Sequence, residues 1–332
     1  MKERQSNIEL LRIISMAMVL CLHIDGASLG LPELKGEIST LSSRDMWRLA
    51  VEALSIVVVN CFTLISGYFG IRLRLKTVFI YLFQCVFYSV IIYTVVSLFI
   101  SHTFTWKDWG TSWLVLTHTD LWYVPAYFLL MILSPFLNEG FDRLNPKTTL
   151  WITIAFTVFT IWAGWYWGGS FNARGYTVFQ LLMMYCIGRC LAIHQGIFFR
   201  IGHRKLKMVC LCVFLLSAFV TGIYACWDLS KAFAYNSPVV ILESVALMIL
   251  FMEIRCRSRA INYIAKSAFA VYLIHKAPIV WGNYLKPFIR ELWSSSSIFE
   301  FTLYSILMII CIYFIAMVAD ACRRWITRLF LK

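Results

Sequence analysis

Residues 10–23 read LLRIISMAMVLCLH, an apolar helical run with an arginine near its start and a histidine at its end. An arginine near the centre of a bilayer costs at least about 2.5 kcal/mol on insertion scales, so its presence needs a reason. At about 100° per residue, Arg12 and His23 fall on one helix face and lie about 16 Å apart along the axis. The run therefore predicts a membrane helix whose polar stripe faces the interior of a bundle.

The composition indicates an integral membrane protein. Hydrophobic residues make up 61% of the 332 residues and charged residues 14%, against about 45–50% and about 25% in soluble globular domains. Apolar runs long enough to cross about 30 Å of hydrocarbon recur from end to end. We therefore expect an all-α polytopic protein with a single membrane domain over residues 1–332, a retained first helix and no appended soluble domain.

Ten candidate spans lie between the clusters of charged residues. Their approximate positions are 8–30, 49–70, 77–100, 120–138, 149–168, 176–194, 207–227, 237–254, 267–285 and 299–320. An even number of spans puts both termini on the same side of the membrane. The stretch 101–119 mixes histidine, lysine and aspartate with three tryptophans, which is typical of a loop lying in the membrane interface.

The basic residues orient this bundle. With the N-terminus in the cytoplasm, about two thirds of the 30 lysines and arginines fall on the cytoplasmic side, including Lys2, Arg4, Arg200 and Lys332, whereas Lys35 belongs to the outer minority. We therefore predict that both termini are cytoplasmic. The same bias accounts for the formal net charge of +13 without a nucleic-acid partner.

Arginines accumulate near the predicted cytoplasmic side of the first spans. Glu9 precedes Arg12 by one turn and can form an ion pair with it, which leaves open whether Arg12 faces the bundle or reaches back to the membrane surface. Arg72 and Arg74 lie between the second and third spans. They can bind phosphate oxygens of a ligand, or they can be ordinary positive-inside charge.

A second histidine follows a tyrosine in the ninth span. Tyr272 and His275 share a helix face at a depth similar to that of His23. With Lys276 they can form a proton-handling cluster, since histidine exchanges protons near neutral pH. The alternative is that Tyr272 and His275 only hydrogen-bond neighbouring helices.

Other polar and small residues inside apolar runs leave their roles open. Glu52 and Glu243 can orient a histidine or neutralise an arginine of the bundle. Ser66 and Gly67 permit either close helix packing or the close approach of a ligand. The sequence contains no glycine-rich phosphate loop and no metal-ligand spacing, and its eleven irregularly placed cysteines fit small apolar residues better than a disulfide framework.

The chain resembles the membrane-bound acyltransferase family three, whose members transfer acyl groups to sugars of bacterial surface polysaccharides and related acceptors. The first matching block contains an acidic residue, an arginine three positions later and a histidine after ten more residues, here Glu9, Arg12 and His23. Glu9 stands where the family more often has aspartate. The later blocks, in the same order as in the family, are FTLISGYFG (62–70), LWYVPAYFLLMILSP (121–135) and SAFAVYLIHKAPI (267–279).

The resemblance implies an O-acyltransferase of the bacterial cytoplasmic membrane that uses acetyl-CoA. Cytoplasmic acetyl-CoA would place its thioester near His23, and His23 would act as general base on a hydroxyl of a polysaccharide or a lipid-linked sugar, or would itself carry the acyl group. The implied catalytic residues are His23, Glu9, His275 and Tyr272. The implied donor-binding residues are Arg12, Arg72, Arg74 and Ser66. No metal is implied, and membrane lipids are the other expected partners.

Two other classes of function remain open for this sequence. A transporter or flippase for a polar lipid or sugar would use the same buried charges as a substrate path. A non-enzymatic subunit of a polysaccharide assembly complex would turn over no thioester. Consumption of acetyl-CoA and formation of an ester distinguish the enzyme from both.

Overall fold

The computed structural model describes residues 5–32, 41–118, 120–199 and 202–330. Every regular element within these ranges is helical, which confirms the predicted all-α class. In chain order, the α-helices are α1 (Ser6–Leu22), α2 (Ser43–Ser55), α3 (Val58–Phe69), α4 (Leu75–Val95), α5 (Trp106–Thr111), α6 (Tyr123–Arg143), α7 (Pro146–Thr160), α8 (Val178–Phe199), α9 (His203–Ala225), α10 (Leu229–Ala232), α11 (Pro238–Met252), α12 (Arg259–Ile264), α13 (Ala268–His275), α14 (Pro278–Val280), α15 (Lys286–Ser295) and α16 (Ile298–Phe330).

Eight helical segments in the described part of the chain are long and apolar enough to cross a membrane. With their extensions they are Ser6–Ala27, Ser43–Phe69, Leu75–Ile100, Tyr123–Arg143, Pro146–Tyr166, Val178–Gly196, His203–Ala225 and Ile298–Arg328. α11 is apolar but shorter, and it coincides with the predicted eighth span. The protein is therefore a multi-pass membrane protein. Which side faces the cytoplasm stays a prediction, and five of the charges behind it lie outside the described residues: Lys2, Arg4, Lys35, Arg200 and Lys332.

The continuous helix predicted at 267–285 is wrong. α13 ends at His275, and the chain then turns through Ala277 into the short helix that begins at Pro278. Ala277 has an extended ψ of 127°, because a proline disfavours helical backbone at the residue before it. The break leaves Lys276 at the end of a short helix.

α1 is the central element of the bundle and packs against α2, α3, α11, α12, α13 and α16. Its residues Ile8, Leu11 and Leu20 are buried in the apolar core on more than one side of the helix. Near its start, the Asn7 side-chain amide donates to the carbonyl oxygens of Phe251 (3.0 Å) and Met252 (3.2 Å) at the end of α11. α1 is therefore held by both apolar and polar contacts.

The helical backbone of α1 widens into a π-helical turn over His23–Ala27. Such turns are uncommon within helices and frequently lie at functional sites. Here the wider turn begins at the histidine that the sequence singles out.

α3 and α8 touch backbone to backbone through two glycines. A Cβ atom on Gly67 would stand 2.2 Å from the carbonyl oxygen of Tyr185, and one on Gly188 would stand 2.4 Å from that of Leu64. Only glycine fits at such an approach. Of the two roles left open for Gly67, close helix packing is therefore the one observed.

Candidate functional site

A cavity of about 820 Å³ lies along α1 and is lined by α2, α3, α4, α6, α10 and α13 together with the segments before α8, α11 and α13. On α1 and its extension the lining residues include Arg12, Met16, Val19, His23 and Gly26. This spacing is that of one helix face, as the sequence predicts. From Arg12 to His23 the lining follows this helix for about 16 Å, about half the thickness of the hydrocarbon core of a bilayer.

The two ends of the cavity differ in composition. Along the first span Arg12 comes before His23, and along the antiparallel second span Glu52 comes before Ser66. Arg12 therefore lies at the same end of the cavity as Ser66, and His23 at the same end as Glu52. The arginine end comprises Arg12, Ser66, Tyr127 and Lys266. The histidine end comprises His23, Glu52, Asp120, Trp122, Arg174, Tyr176, Tyr235 and Lys276.

At the arginine end, Arg12 is held by a neighbour on its own helix. One guanidinium nitrogen lies 3.0 Å from a carboxylate oxygen of Glu9, whose side chain is buried while that of Arg12 is 31% exposed. A guanidinium has five N–H donors, so this pair leaves donors for a ligand in the cavity. The predicted ion pair is present, and Arg12 lines the cavity.

Ser66 lines the same end but has no proton to offer a ligand. Its hydroxyl donates to the carbonyl oxygen of Phe62 at 2.9 Å. Since a hydroxyl has one proton, Tyr127, 3.1 Å away, donates to the Ser66 oxygen. Ser66 therefore holds the tyrosine that forms the cavity wall.

At the histidine end, the two predicted histidines are in direct contact. Nδ1 of His23 lies 2.7 Å from Nε2 of His275, and Nδ1 of His275 lies 2.5 Å from the carbonyl oxygen of Val271. His275 is buried, with 1% of its surface exposed, whereas His23 lines the cavity. The ring of Trp281 covers His23 with its centroid 5.6 Å away.

This chain of contacts assigns the proton positions of neutral rings. A carbonyl only accepts, so Nδ1 of His275 carries the proton and its Nε2 is an acceptor. Nδ1 of His23 then donates to His275, which leaves Nε2 of His23 unprotonated. A neutral histidine in this form can take a proton from a group bound in the cavity.

The other predicted residues divide into those near the cavity and those away from it. Tyr272 lines it, with its ring centroid 6.2 Å from that of His275. Arg72 and Arg74 are exposed on the segment between α3 and α4 and do not line it, so their phosphate role stays a prediction. Glu243 is fully buried but also lies outside the cavity lining.

Buried amides fix the rim of the histidine end. The Gln180 side chain donates to Asn60 Oδ1 (2.9 Å) and to the carbonyl oxygen of Tyr235 (2.8 Å), and it accepts from Asn172 at 3.2 Å. Asn236 in turn donates to the carbonyl oxygen of Asn172 at 2.7 Å. All four amide side chains are fully buried, so this network ties the loop before α8 to the loop before α11.

The network supports a strained turn that carries Arg174 into the cavity lining. Arg174 has a positive φ of 52°, which costs a residue with a side chain about 1–2 kcal/mol. Its carbonyl oxygen accepts from the backbone N–H of Tyr235 at 2.9 Å. Strain of this kind persists where the surroundings hold it, commonly at functional sites.

The sequence matches the family model described as an acyltransferase domain, acyltransferase family 3, over residues 5–317. The chain belongs to acyltransferase family 3. No curated protein matches it, and no solved structure does. Membership in acyltransferase family 3 covers nearly the whole chain and supports an acyltransferase activity, and the resemblance noted in the sequence is confirmed at that level.

Several cavity residues of this acyltransferase family 3 member were not singled out from the sequence. They are Tyr127, Asp120, Trp122, Arg174, Tyr176, Tyr235 and Lys266. Trp122 and Tyr127 lie in a block that carries the family resemblance, which is the one signal that could have found them. Arg174 and Lys266 carry no local signal, because each reaches the cavity only through the packing of its segment.

Proposed function

We propose that this protein is an O-acyltransferase that moves acetyl from acetyl-CoA to a hydroxyl group of a cell-surface polysaccharide or its lipid-linked precursor. It works in the bacterial cytoplasmic membrane, with the arginine end of the cavity toward the cytoplasm. The observation that carries this proposal is one cavity with Arg12 at one end and His23, in hydrogen-bond contact with His275, at the other. The family membership supports a transferase over a transporter or flippase.

The donor is bound by charge at the arginine end. Arg12 and Lys266 line this end and are suited to the phosphate groups of CoA, and Arg72 and Arg74 are proposed to contact the part of the donor outside the cavity. The pantetheine arm then extends along α1. The distance of about 16 Å from Arg12 to His23 brings the thioester to the histidine.

The acyl transfer uses His23 as a general base. Nε2 of His23 takes the proton of the acceptor hydroxyl while the hydroxyl oxygen attacks the thioester carbonyl carbon. The tetrahedral intermediate then expels the CoA sulfur, which receives that proton from His23 and leaves as a thiol. Throughout the reaction, Nε2 of His275 accepts a hydrogen bond from Nδ1–H of His23 and keeps the His23 ring oriented.

The second possible role of His23 is to carry the acetyl group itself. In that case the acetyl group would move from the CoA sulfur to Nε2 and then to the acceptor oxygen. Label from acetyl-CoA would then stay on the protein in the absence of an acceptor. With a general base, no protein-bound label accumulates.

The test uses the detergent-purified full chain, labelled acetyl-CoA and a set of lipid-linked glycans. The parent protein should transfer label to a glycan, and His23→Ala should lose at least about 100-fold in rate with donor binding preserved. His194→Ala is the control, since His194 is half-buried, lies outside the cavity lining and hydrogen-bonds to the Pro146 carbonyl oxygen. Transfer at the parent rate by His23→Ala would contradict the proposal.

A further inference from the structure

Glu52 is a buried carboxylate at the histidine end that the proposed reaction does not use. Only 7% of the residue is exposed, and it lines the cavity. Its Oε2 atom has no hydrogen-bond partner among the described residues. A buried carboxylate oxygen without a donor is costly, so its position in a cavity indicates a ligand that supplies the donor.

The nearest arginine is already engaged elsewhere. Nε of Arg48 lies 2.5 Å from Asp25, and the same guanidinium donates to the carbonyl oxygen of Gly30. Glu52 itself accepts a hydrogen bond from the backbone N–H of Gly26. The Gly26 contact therefore positions the Glu52 carboxylate, and no described hydrogen bond joins it to Arg48.

Glu52 stands about one helical turn beyond His23. A Cβ atom added to Gly26 would lie 2.8 Å from Oε1 of Glu52, so the carboxylate rests directly on Gly26. Gly26 follows His23 by three residues, which makes the two neighbours on one face. A molecule with one hydroxyl at His23 can therefore place another hydroxyl of the same ring at Glu52.

Aromatic rings form the wall of this end. Trp122 lies with its centroid 5.0 Å from that of Tyr176 and 6.1 Å from that of Tyr235, and Tyr176 lies 4.9 Å from Tyr235. All three line the cavity. Flat apolar surfaces beside a few fixed polar groups are typical of sites that bind a small polar ring.

Basic and acidic residues are equal in number in the lining of the histidine end. The basic residues are Arg174 and Lys276, and the acidic residues are Glu52 and Asp120. By contrast, Arg12 and Lys266 line the arginine end, and none of the acidic residues that line the described cavity lies there. A neutral ligand therefore suits the histidine end better than an anionic one.

We propose that Glu52 and the aromatic wall of Trp122, Tyr176 and Tyr235 bind one neutral sugar ring of the acceptor, and that Glu52 selects which hydroxyl reaches His23. Glu52 accepts a hydrogen bond from a second hydroxyl of that ring. This inference rests on the proposed function, because it takes the acceptor to be a sugar. Glu52 would thereby determine which hydroxyl of the sugar is acylated.

The experiment measures acetyl transfer to methyl glycosides of glucose, galactose and N-acetylglucosamine and to their single-deoxy derivatives. Glu52→Gln keeps the shape and an oxygen for Gly26 but replaces the other carboxyl oxygen by an amide nitrogen, which cannot accept a hydrogen bond. It should raise KM for the best sugar roughly tenfold, because the second ring hydroxyl loses its acceptor. KM for acetyl-CoA should change less than about twofold, since the donor is bound at the other end.

The matched control is Glu243→Gln, a buried glutamate that does not line the cavity. It should leave KM for the sugar unchanged. With the parent protein, one deoxy derivative should show an increase in KM as large as the one that Glu52→Gln causes for the complete sugar. For that derivative, Glu52→Gln should raise KM little further. Thermal unfolding of both variants in detergent verifies that they fold.

The outcomes separate this inference from the proposed function. An active parent protein whose KM for the sugar is the same in Glu52→Gln overturns the role of Glu52 alone. Equal increases of KM for sugar and for acetyl-CoA also overturn it, since they indicate a general distortion. A parent protein that acetylates lipid-linked glycans but none of the glycosides overturns this inference alone, whereas one that acetylates neither overturns the proposed function as well.

Discussion

The arginine end and the histidine end of the cavity are built in different ways. Arg12 is partly exposed and Lys266 is exposed, and both present flexible charged chains. At the histidine end, His275 and the supporting amides are buried, and each is held by hydrogen bonds. The comparison teaches that the arginine end can bind a charged ligand in more than one orientation, because its side chains are flexible. The histidine end is suited to hold reacting atoms in one position, because its side chains are fixed.

The largest expected effect is at the buried end. His275→Ala removes the acceptor for Nδ1 of His23, so His23 loses its fixed orientation and proton position. We expect kcat to fall about 100-fold with KM for acetyl-CoA unchanged, within the usual range for general-base catalysis. Steady-state kinetics with His194→Ala as control measures this. A fall in donor affinity without a change in kcat would contradict it.

At the charged end, Arg12→Ala should act on the donor. Loss of a hydrogen bond to a charged group costs about 1.5–3 kcal/mol, which is roughly 10- to 100-fold in KM for acetyl-CoA. Arg12→Lys should recover part of it. The control is Arg143→Ala, an exposed arginine paired with Glu139. The prediction fails if donor affinity is unchanged while kcat falls.

The amide network can be broken without touching the ligand-binding residues. Gln180→Ala leaves the buried partners of Gln180 unsatisfied and should lower the free energy of unfolding by about 1–3 kcal/mol. Thermal unfolding in detergent measures this against Gln195→Ala, whose exposed amide accepts from Tyr68. Equal stability of the two variants would show that the network does not hold the rim.

The smallest expected effect distinguishes Lys266 from Arg74. Lys266 is an exposed cation within the cavity lining, so Lys266→Ala should raise KM for acetyl-CoA roughly 2- to 5-fold, as expected for about 0.5–1 kcal/mol. The effect should shrink at high salt. Arg74→Ala should have less effect, since Arg74 does not line the cavity. A larger effect of Arg74→Ala would place the phosphate site on the segment before α4.

Local features of this protein were predictable because helix geometry is local. The spacing of Arg12 and His23 placed both on one face of α1, and the spacing of Glu9 and Arg12 gave their ion pair. The membrane class followed from apolar runs that cannot be solvated. The break at Pro278 was missed because the surrounding hydrophobicity outweighed the effect of one proline on the prediction.

The amino-acid sequence by itself determined an all-helical membrane bundle and the stripe of α1. Only the tertiary structure decided which groups meet that stripe. His275 is 252 residues from His23 along the chain, and Glu52 and Lys266 reach the cavity from other helices. The physical reason is that side-chain spacing within one helix follows from its 3.6-residue turn, whereas contacts between helices depend on the packing of every element around them.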